Sequence, residues 1–180
     1  MIKKTISLGT KTIEIFDDIT SLFFRQRIYD ICKTSYFRLG WNDSAIPERK
    51  PYDYNLHSIY NEADIESLNI LPLITETEIM DSLKDLKITQ CVVNLSVASD
   101  VNFAHTHPEK KVLLYYPNLE WQEGWAGETV FYSEDLKEIV YTSQYTPGRF
   151  IVFDAEIPHS IRAQSNTGPK HRFTLSMFWS

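Results

Sequence analysis

Apolar and polar positions alternate along the first sixteen residues, where Ile6, Leu8, Ile13 and Ile15 keep a period of two with Gly9-Thr10 between them. That pattern predicts one or two short strands or a hairpin at a sheet edge. The period then changes. In FDDITSLFFRQRIYDICKTSYF the apolar stripe runs through Ile19, Leu22, Phe23, Ile28, Tyr29, Ile31 and Cys32 near the 3.6-residue repeat, which predicts a helix over about 19–35 with Asp17 or Asp18 as its cap. Arg38 to Asn61 keeps no period and mixes Gly, Pro, Asn, Asp and Ser with Trp41, Tyr52, Tyr54 and Tyr60. It reads as a long loop with aromatic anchors, either a functional lid or a loop pinned to the core. From Glu62 to Lys87 a helical pattern is interrupted at Pro72, with Ile79, Met80, Leu83 and Leu86 on one face and Thr75 and Glu78 as a capping box.

After Lys87 the pattern is that of strands. ITQCVVNLSVAS, VNFAHTH, VLLYYPN, GETVFYS, EIVYTSQYTP, RFIVFDAEI, HSIRAQ and RFTLSMFWS are strand-like runs separated by turn residues, of which Pro147-Gly148 and Thr167-Gly168-Pro169 are the strongest. Such spacing predicts a closed or nearly closed antiparallel sheet. Helices first and strands after give an α+β, mainly β, arrangement: one domain over 1–180, with 1–87 as a helical and loop support region and 88–180 as the β-barrel core.

Composition narrows the partners. A net charge of -6 and a pI near 5.4 provide no footprint for a nucleic-acid backbone. Cys32 and Cys91 lie far apart, one in a predicted helix and one in a predicted strand, as small buried hydrophobes in a reducing, cytoplasmic setting. No apolar run has the length of a signal peptide or a membrane span, so no membrane association is expected.

The polar residues that stand out are histidines. On a strand His105 and His107 point to the same side, and His159 follows a second apolar strand. Three imidazoles from separate β segments can take adjacent positions on one metal ion and leave its opposite face open. Arg172 opens the last strand, and a buried arginine needs an anion, ideally a carboxylate held in two contacts. His57 has no partner in sequence and reads as a surface or packing residue, while His171, by alternation, faces away from Arg172. Arg162, three residues after His159, is a further cation that could meet an anion.

The order of motifs, H-x-H, LLYYPNLEW, WAGETVFY, PGRFIVFD, PHSIR and RFTLSMFW, resembles the iron(II)- and 2-oxoglutarate-dependent dioxygenases, in particular the prolyl-4-hydroxylase-like branch. The similarity covers about residues 90–180. It implies a double-stranded β-helix, a jelly-roll or cupin-like barrel, braced by N-terminal helices. It also implies Fe(II) and 2-oxoglutarate as cofactors, hydroxylation of a protein side chain or small molecule, and succinate and CO2 as co-products. Position by position, His105 and His159 match the iron's histidine ligands, and Arg172 matches the residue gripping the far carboxylate of 2-oxoglutarate, with Thr174 on the same face. Tyr116 matches a tyrosine bonded to that carboxylate, and Asn94 falls where a pocket-lining residue stands. Gly127, Glu128 and Thr129 match a turn block.

The sequence departs from this pattern at His107, where an acid is expected. Three readings are open: His107 is itself a ligand, giving a three-histidine site; or His107-x-Glu109 serves as the His-x-acid pair; or the metal is incompletely held. Outside the dioxygenase reading stand a cupin-like metal-binding module and a three-histidine dioxygenase that does not use 2-oxoglutarate. Neither of these needs the carboxylate clamp of Arg172 and Tyr116.

Overall fold

The computed structural model describes residues 2–41, 48, 55–71 and 78–180. Its chain order is β1 (Ile2–Leu8), β2 (Lys11–Asp17), α1 (Leu22–Thr34), β3 (Arg38–Trp41), β4 (Asn55–Tyr60), α2 (Glu62–Leu68), β5 (Ile88–Ser96), β6 (Lys111–Tyr115), β7 (Thr129–Tyr132), β8 (Ile139–Ser143), β9 (Phe150–Asp154), β10 (His159–Ile161) and β11 (Arg172–Trp179). Eight strands form a large sheet in the order β1-β2-β9-β6-β11-β5-β4-β3, and three form a small one, β10-β7-β8. Every strand pairing is antiparallel.

The large sheet is covered on both faces, which is why VLLY, FIVF and RFTLSMFW read as unbroken apolar or buried runs rather than alternating ones. Odd-numbered positions of β5 and β11, such as Cys91, Val93, Phe173, Leu175 and Met177, pack with Phe24, Ile28, Cys32, Ile65 and Ile79 in one core. The opposite face puts Val92, Val112, Leu114, Ile151, Phe153 and Phe178 into a second core with Phe131 and Ile157 from the side of the small sheet. The functional interior belongs to this second core.

The helix α1 forms as its stripe predicts, with Phe24, Ile28 and Cys32 buried. Its cap is Ser21, whose Oγ accepts from the Phe24 N–H at 3.2 Å, rather than Asp17 or Asp18. Leu22 and Phe23, counted in the stripe, are 80% and 74% exposed, because the buried face runs through Phe24, Ile28 and Cys32 and both positions fall outside it. The capping box lies at α2, where Asn61 and Asp64 exchange side-chain bonds to each other's backbone N–H at 3.0 Å. Pro72 and Thr75 lie outside the described residues. From Glu78 the chain makes a 3-10 helix to Ser82, closed by i to i+3 bonds and ended by Asp85 at φ 65°, so Ile79 and Leu83 are buried without an α-helix.

Three further expectations are corrected. The stretch from Arg38 to Asn61 is not only a loop: β3 and β4 pair with each other, and β4 pairs with β5 at the edge of the large sheet. Its period is hidden because β3 carries a register shift and β4 buries His57 and Ser58 on successive positions. Of the aromatic anchors, Tyr60 bonds Ser35 at 2.6 Å, while Tyr52 and Tyr54 lie outside the described residues. Consequently residues 1–87 are more than helical and loop support, since four of the eight large-sheet strands come from them. VNFAHTH, in turn, is not a strand; it joins the small sheet through a single bridge at His105.

Candidate metal centre

His159 opens β10, and His105 lies beside it in an isolated antiparallel bridge whose two N–H···O bonds are both 3.0 Å. His107 is fixed by its own N–H to the Ala155 carbonyl, also at 3.0 Å. Backbone pairing therefore brings the three rings together, with centroids 4.5, 5.0 and 5.1 Å apart and ligand atoms within 4.8 Å of one another. No other group of three or more candidate ligands converges among the described residues. Glu109 is not in the group, although its Oε2 is buried and makes no hydrogen bond among the described residues.

The protons are placed for metal binding. The Nδ1 atoms of His105 and His159 each lie 3.0 Å from a carbonyl, those of Phe103 and Ile157. A carbonyl only accepts, so each Nδ1 carries the proton and Nε2 presents the lone pair. Burial, and then the neighbouring His105, pull the His107 imidazole down to about 3. His159 lies well below its ordinary value for the same reasons, with His107 adding to the effect. All this favours neutral imidazoles, the form that binds a cation.

Beside the rings is a cavity of ≈ 40 Å³ lined by Asn94, Leu114, Thr129, Phe153, Ile161 and Ser176, among others. Leu114, Phe131 and Phe153 wall the interior, whereas Val93 and Phe173, on the same strands or their neighbours, sit on the opposite face of the large sheet, packed towards the helices. Phe178 closes the cavity against His107, ring centroids 4.8 Å apart.

Arg172 is fully buried on the same inner face as Thr174, Ser176 and Phe178, by strand alternation. It is not on a strand neighbouring His159: β11 belongs to the large sheet and β10 to the small one. Its Nε donates to the Gly127 carbonyl at 2.8 Å, and its guanidinium lies over the rings of Tyr145 and Tyr116, 4.8 and 5.7 Å from their centroids. Nη1 and Nη2 have no partner among the described residues, and no carboxylate there forms an ion pair with them. Thr174 Oγ1 and Asn94 Oδ1, directly opposite each other across β11 and β5, are likewise buried and unpartnered. The Tyr116 hydroxyl donates to Thr129 Oγ1 at 2.8 Å. A buried guanidinium without an acceptor is costly, so this cluster fits a small carboxylate.

Sequence reasoning missed the residues that hold Arg172. Asn118 donates from Nδ2 to the His171 carbonyl at 3.0 Å and accepts at Oδ1 from the Phe173 N–H at 2.9 Å, bracketing Arg172 on both sides. The Tyr145 hydroxyl lies 2.7 Å from Asn118 Oδ1 and 2.8 Å from the Phe173 carbonyl. Asn118 stood within the YYPNLEW block, which was the available signal. His57 is buried, in keeping with a packing role, and His171 is exposed.

No family model matches the sequence, and no curated protein matches it. The structure, in contrast, is similar to many solved ones. A prolyl hydroxylase from Trichoplax adhaerens, in complex with a hypoxia inducible factor oxygen degradation domain peptide, superposes with a TM-score of 0.61 at 13% identity over 93% of this chain and 82% of that one. HygX from Streptomyces hygroscopicus, with nickel and 2-oxoglutarate bound, gives 0.64 at 8% identity over 93% and 82%. The viral collagen prolyl hydroxylase of Paramecium Bursaria Chlorella virus-1, as its 2-oxoglutarate complex, gives 0.61 at 13% identity over 93% and 94%. The fold is the double-stranded β-helix. In this double-stranded β-helix the three histidines stand at the edge of the small sheet, and Arg172 stands at the start of a central strand of the large one.

Proposed function

We propose that the protein is an Fe(II)- and 2-oxoglutarate-dependent oxygenase that hydroxylates a small molecule or a protein side chain. The observation that carries this reading is Arg172: a fully buried guanidinium with two unpartnered Nη donors, in the same interior as a three-histidine cluster. Such a donor set fits the far carboxylate of a keto diacid, and the neutral imidazoles fit a divalent ion. In this reading His105, His107 and His159 hold the metal, and Arg172 with Thr174 and Tyr116 takes the carboxylate while Asn94 lines the space between. When bound, iron and 2-oxoglutarate supply the oxidising chemistry, with succinate and CO2 as co-products.

The chain's own part is positioning. Carbonyl-held Nδ1 protons keep the Nε2 atoms of His105 and His159 turned to one point, and Leu114, Phe153 and Phe178 exclude water from it. The ≈ 40 Å³ cavity holds about one water molecule. A five-carbon diacid is larger than that, so the side chains lining the cavity would have to give way to admit it. That same small volume favours a second reading, a cupin-like module that binds metal without oxygen chemistry. The peptide seated on the Trichoplax relative supports a protein side chain as substrate alongside small molecules. Two buried free cysteines accord with a reducing, cytoplasmic location, and no described helix is long and apolar enough to cross a membrane.

Anaerobic addition of Fe(II) and then 2-oxoglutarate should produce a visible metal-to-ligand charge-transfer band, lost in Arg172→Ala. Metal uptake with no band in the native protein would reject the oxygenase in favour of the binding module.

A further inference from the structure

Arg172 borders the outside of the molecule at Gly127 and Tyr145. The Gly127 carbonyl takes its Nε at 2.8 Å, and the Tyr145 ring centroid lies 4.8 Å from the guanidinium carbon. The residue after Gly127 is Glu128, which lines two surface grooves, one with Trp121 and Tyr145 and the other with Tyr141 and Arg149. Tyr145 is therefore common to both sides: it touches the buried guanidinium and lines a groove that Glu128 also lines.

The two charges act on each other across this boundary. Burial pulls the Arg172 guanidinium below its ordinary value, and Tyr145, Tyr116 and the Glu128 carboxylate oppose that. Glu128 makes no ion pair among the described residues, and Arg149, the guanidinium in its groove, is held by Asp17 in two bonds of 2.8 Å. Protein between two charges screens them less than water does, so an outward carboxylate still acts on a buried cation.

The effect has opposite signs in the empty and the loaded protein. With no ligand, Glu128 offsets part of the cost of a buried guanidinium. With a carboxylate on the free Nη atoms that cost is already met, and Glu128 then only repels the bound anion.

We propose that Glu128 is the resident counter-charge of Arg172, and that it stabilises the empty protein while weakening the binding of a dicarboxylate. The inference rests on the reading of Arg172 as the clamp for 2-oxoglutarate. It makes Glu128 a positioning residue that acts through Arg172 by charge.

The test uses the full chain loaded with zinc(II), with 2-oxoglutarate as the probe. Calorimetry measures its affinity, and urea unfolding measures the stability of the ligand-free protein. Glu128→Gln keeps the shape and removes the charge, with Glu128→Ala as the substitute should that variant not fold. It should bind 2-oxoglutarate roughly three- to tenfold more tightly at low salt and unfold at a lower urea concentration when empty. Raising the ionic strength to about 1 M, where the screening length is about 3 Å, should shrink the difference in affinity. Glu128→Asp, which keeps the charge, should stay within about twofold of the native affinity, as should Glu123→Gln on the exposed side of the same groove. A residue that merely held the fold would lower affinity and stability together when replaced. Unchanged or weaker 2-oxoglutarate binding by the neutral variant overturns the inference and leaves the clamp standing, as does empty-state stability at or above the native value, or an equal gain in Glu128→Asp. No binding of 2-oxoglutarate by the native protein defeats the clamp reading itself, and this inference with it.

Discussion

His105 and His159 exchange both of their backbone hydrogen bonds, N–H to O at 3.0 Å in each direction, although 54 positions separate them in the numbering. That one bridge attaches the H-x-H segment to the small sheet and makes a shared ligand site from two distant stretches.

The first prediction concerns which residues bind metal. His107→Ala should lower metal affinity beyond the roughly 10–100-fold that outer partners of a site typically contribute. Glu109→Ala should leave affinity unchanged, since Glu109 is outside the cluster. Metal content after dialysis against a graded chelator measures both, and the reverse ranking would assign the ligand pair to His107 and Glu109.

The second concerns pH. The His107 imidazole is pulled down to about 3 in the fold, from 6.5 in the open chain, so between these values the unfolded state binds more protons. Stability of the metal-free protein is therefore full above about 6.5 and falls as pH falls towards 3, with a slope of at most about 1.4 kcal/mol per pH unit for this group. His159 acts in the same direction. Urea midpoints of metal-free protein at pH 7.5 and pH 5 should differ accordingly; a higher midpoint at pH 5 would contradict the burial of neutral imidazoles.

The third concerns the turn that receives Arg172. Gly127 has φ 84°, and a Cβ there would lie 2.8 Å from Trp121 Cζ2 and 3.2 Å from Arg172 Nε. Gly127→Ala should cost about 1–3 kcal/mol in stability from the backbone conformation alone. Because it also displaces Arg172, it should weaken 2-oxoglutarate binding while leaving metal affinity near the native value, as calorimetry with each ligand would show.

The fourth concerns Asn118. Asn118→Ala leaves the buried Phe173 N–H and the His171 carbonyl without their partner, at a cost of about 2–4 kcal/mol. Denaturant unfolding measures the loss. A change below about half a kcal/mol would mean that Arg172 is held without this bracket.

The sequence alone determined the strands from Ile88 onward except for VNFAHTH, together with the helix α1 and the residue types of the site. Strong turn residues and a run of buried β-formers announce a strand locally, and histidine and arginine among them stand out for their chemistry. It did not reveal β3 and β4, whose weak local pattern is overridden by pairing with β5. Nor did it reveal that Val93 and Phe173 face the helices, because a strand buried on both faces has no polar side to mark its orientation. The pairing of His105 with His159, the bracket of Asn118 around Arg172 and the unpartnered Nη donors are contacts between residues far apart in the chain. Only folding decides them, since a period along the sequence carries information about near neighbours and none about which distant backbone will close the site.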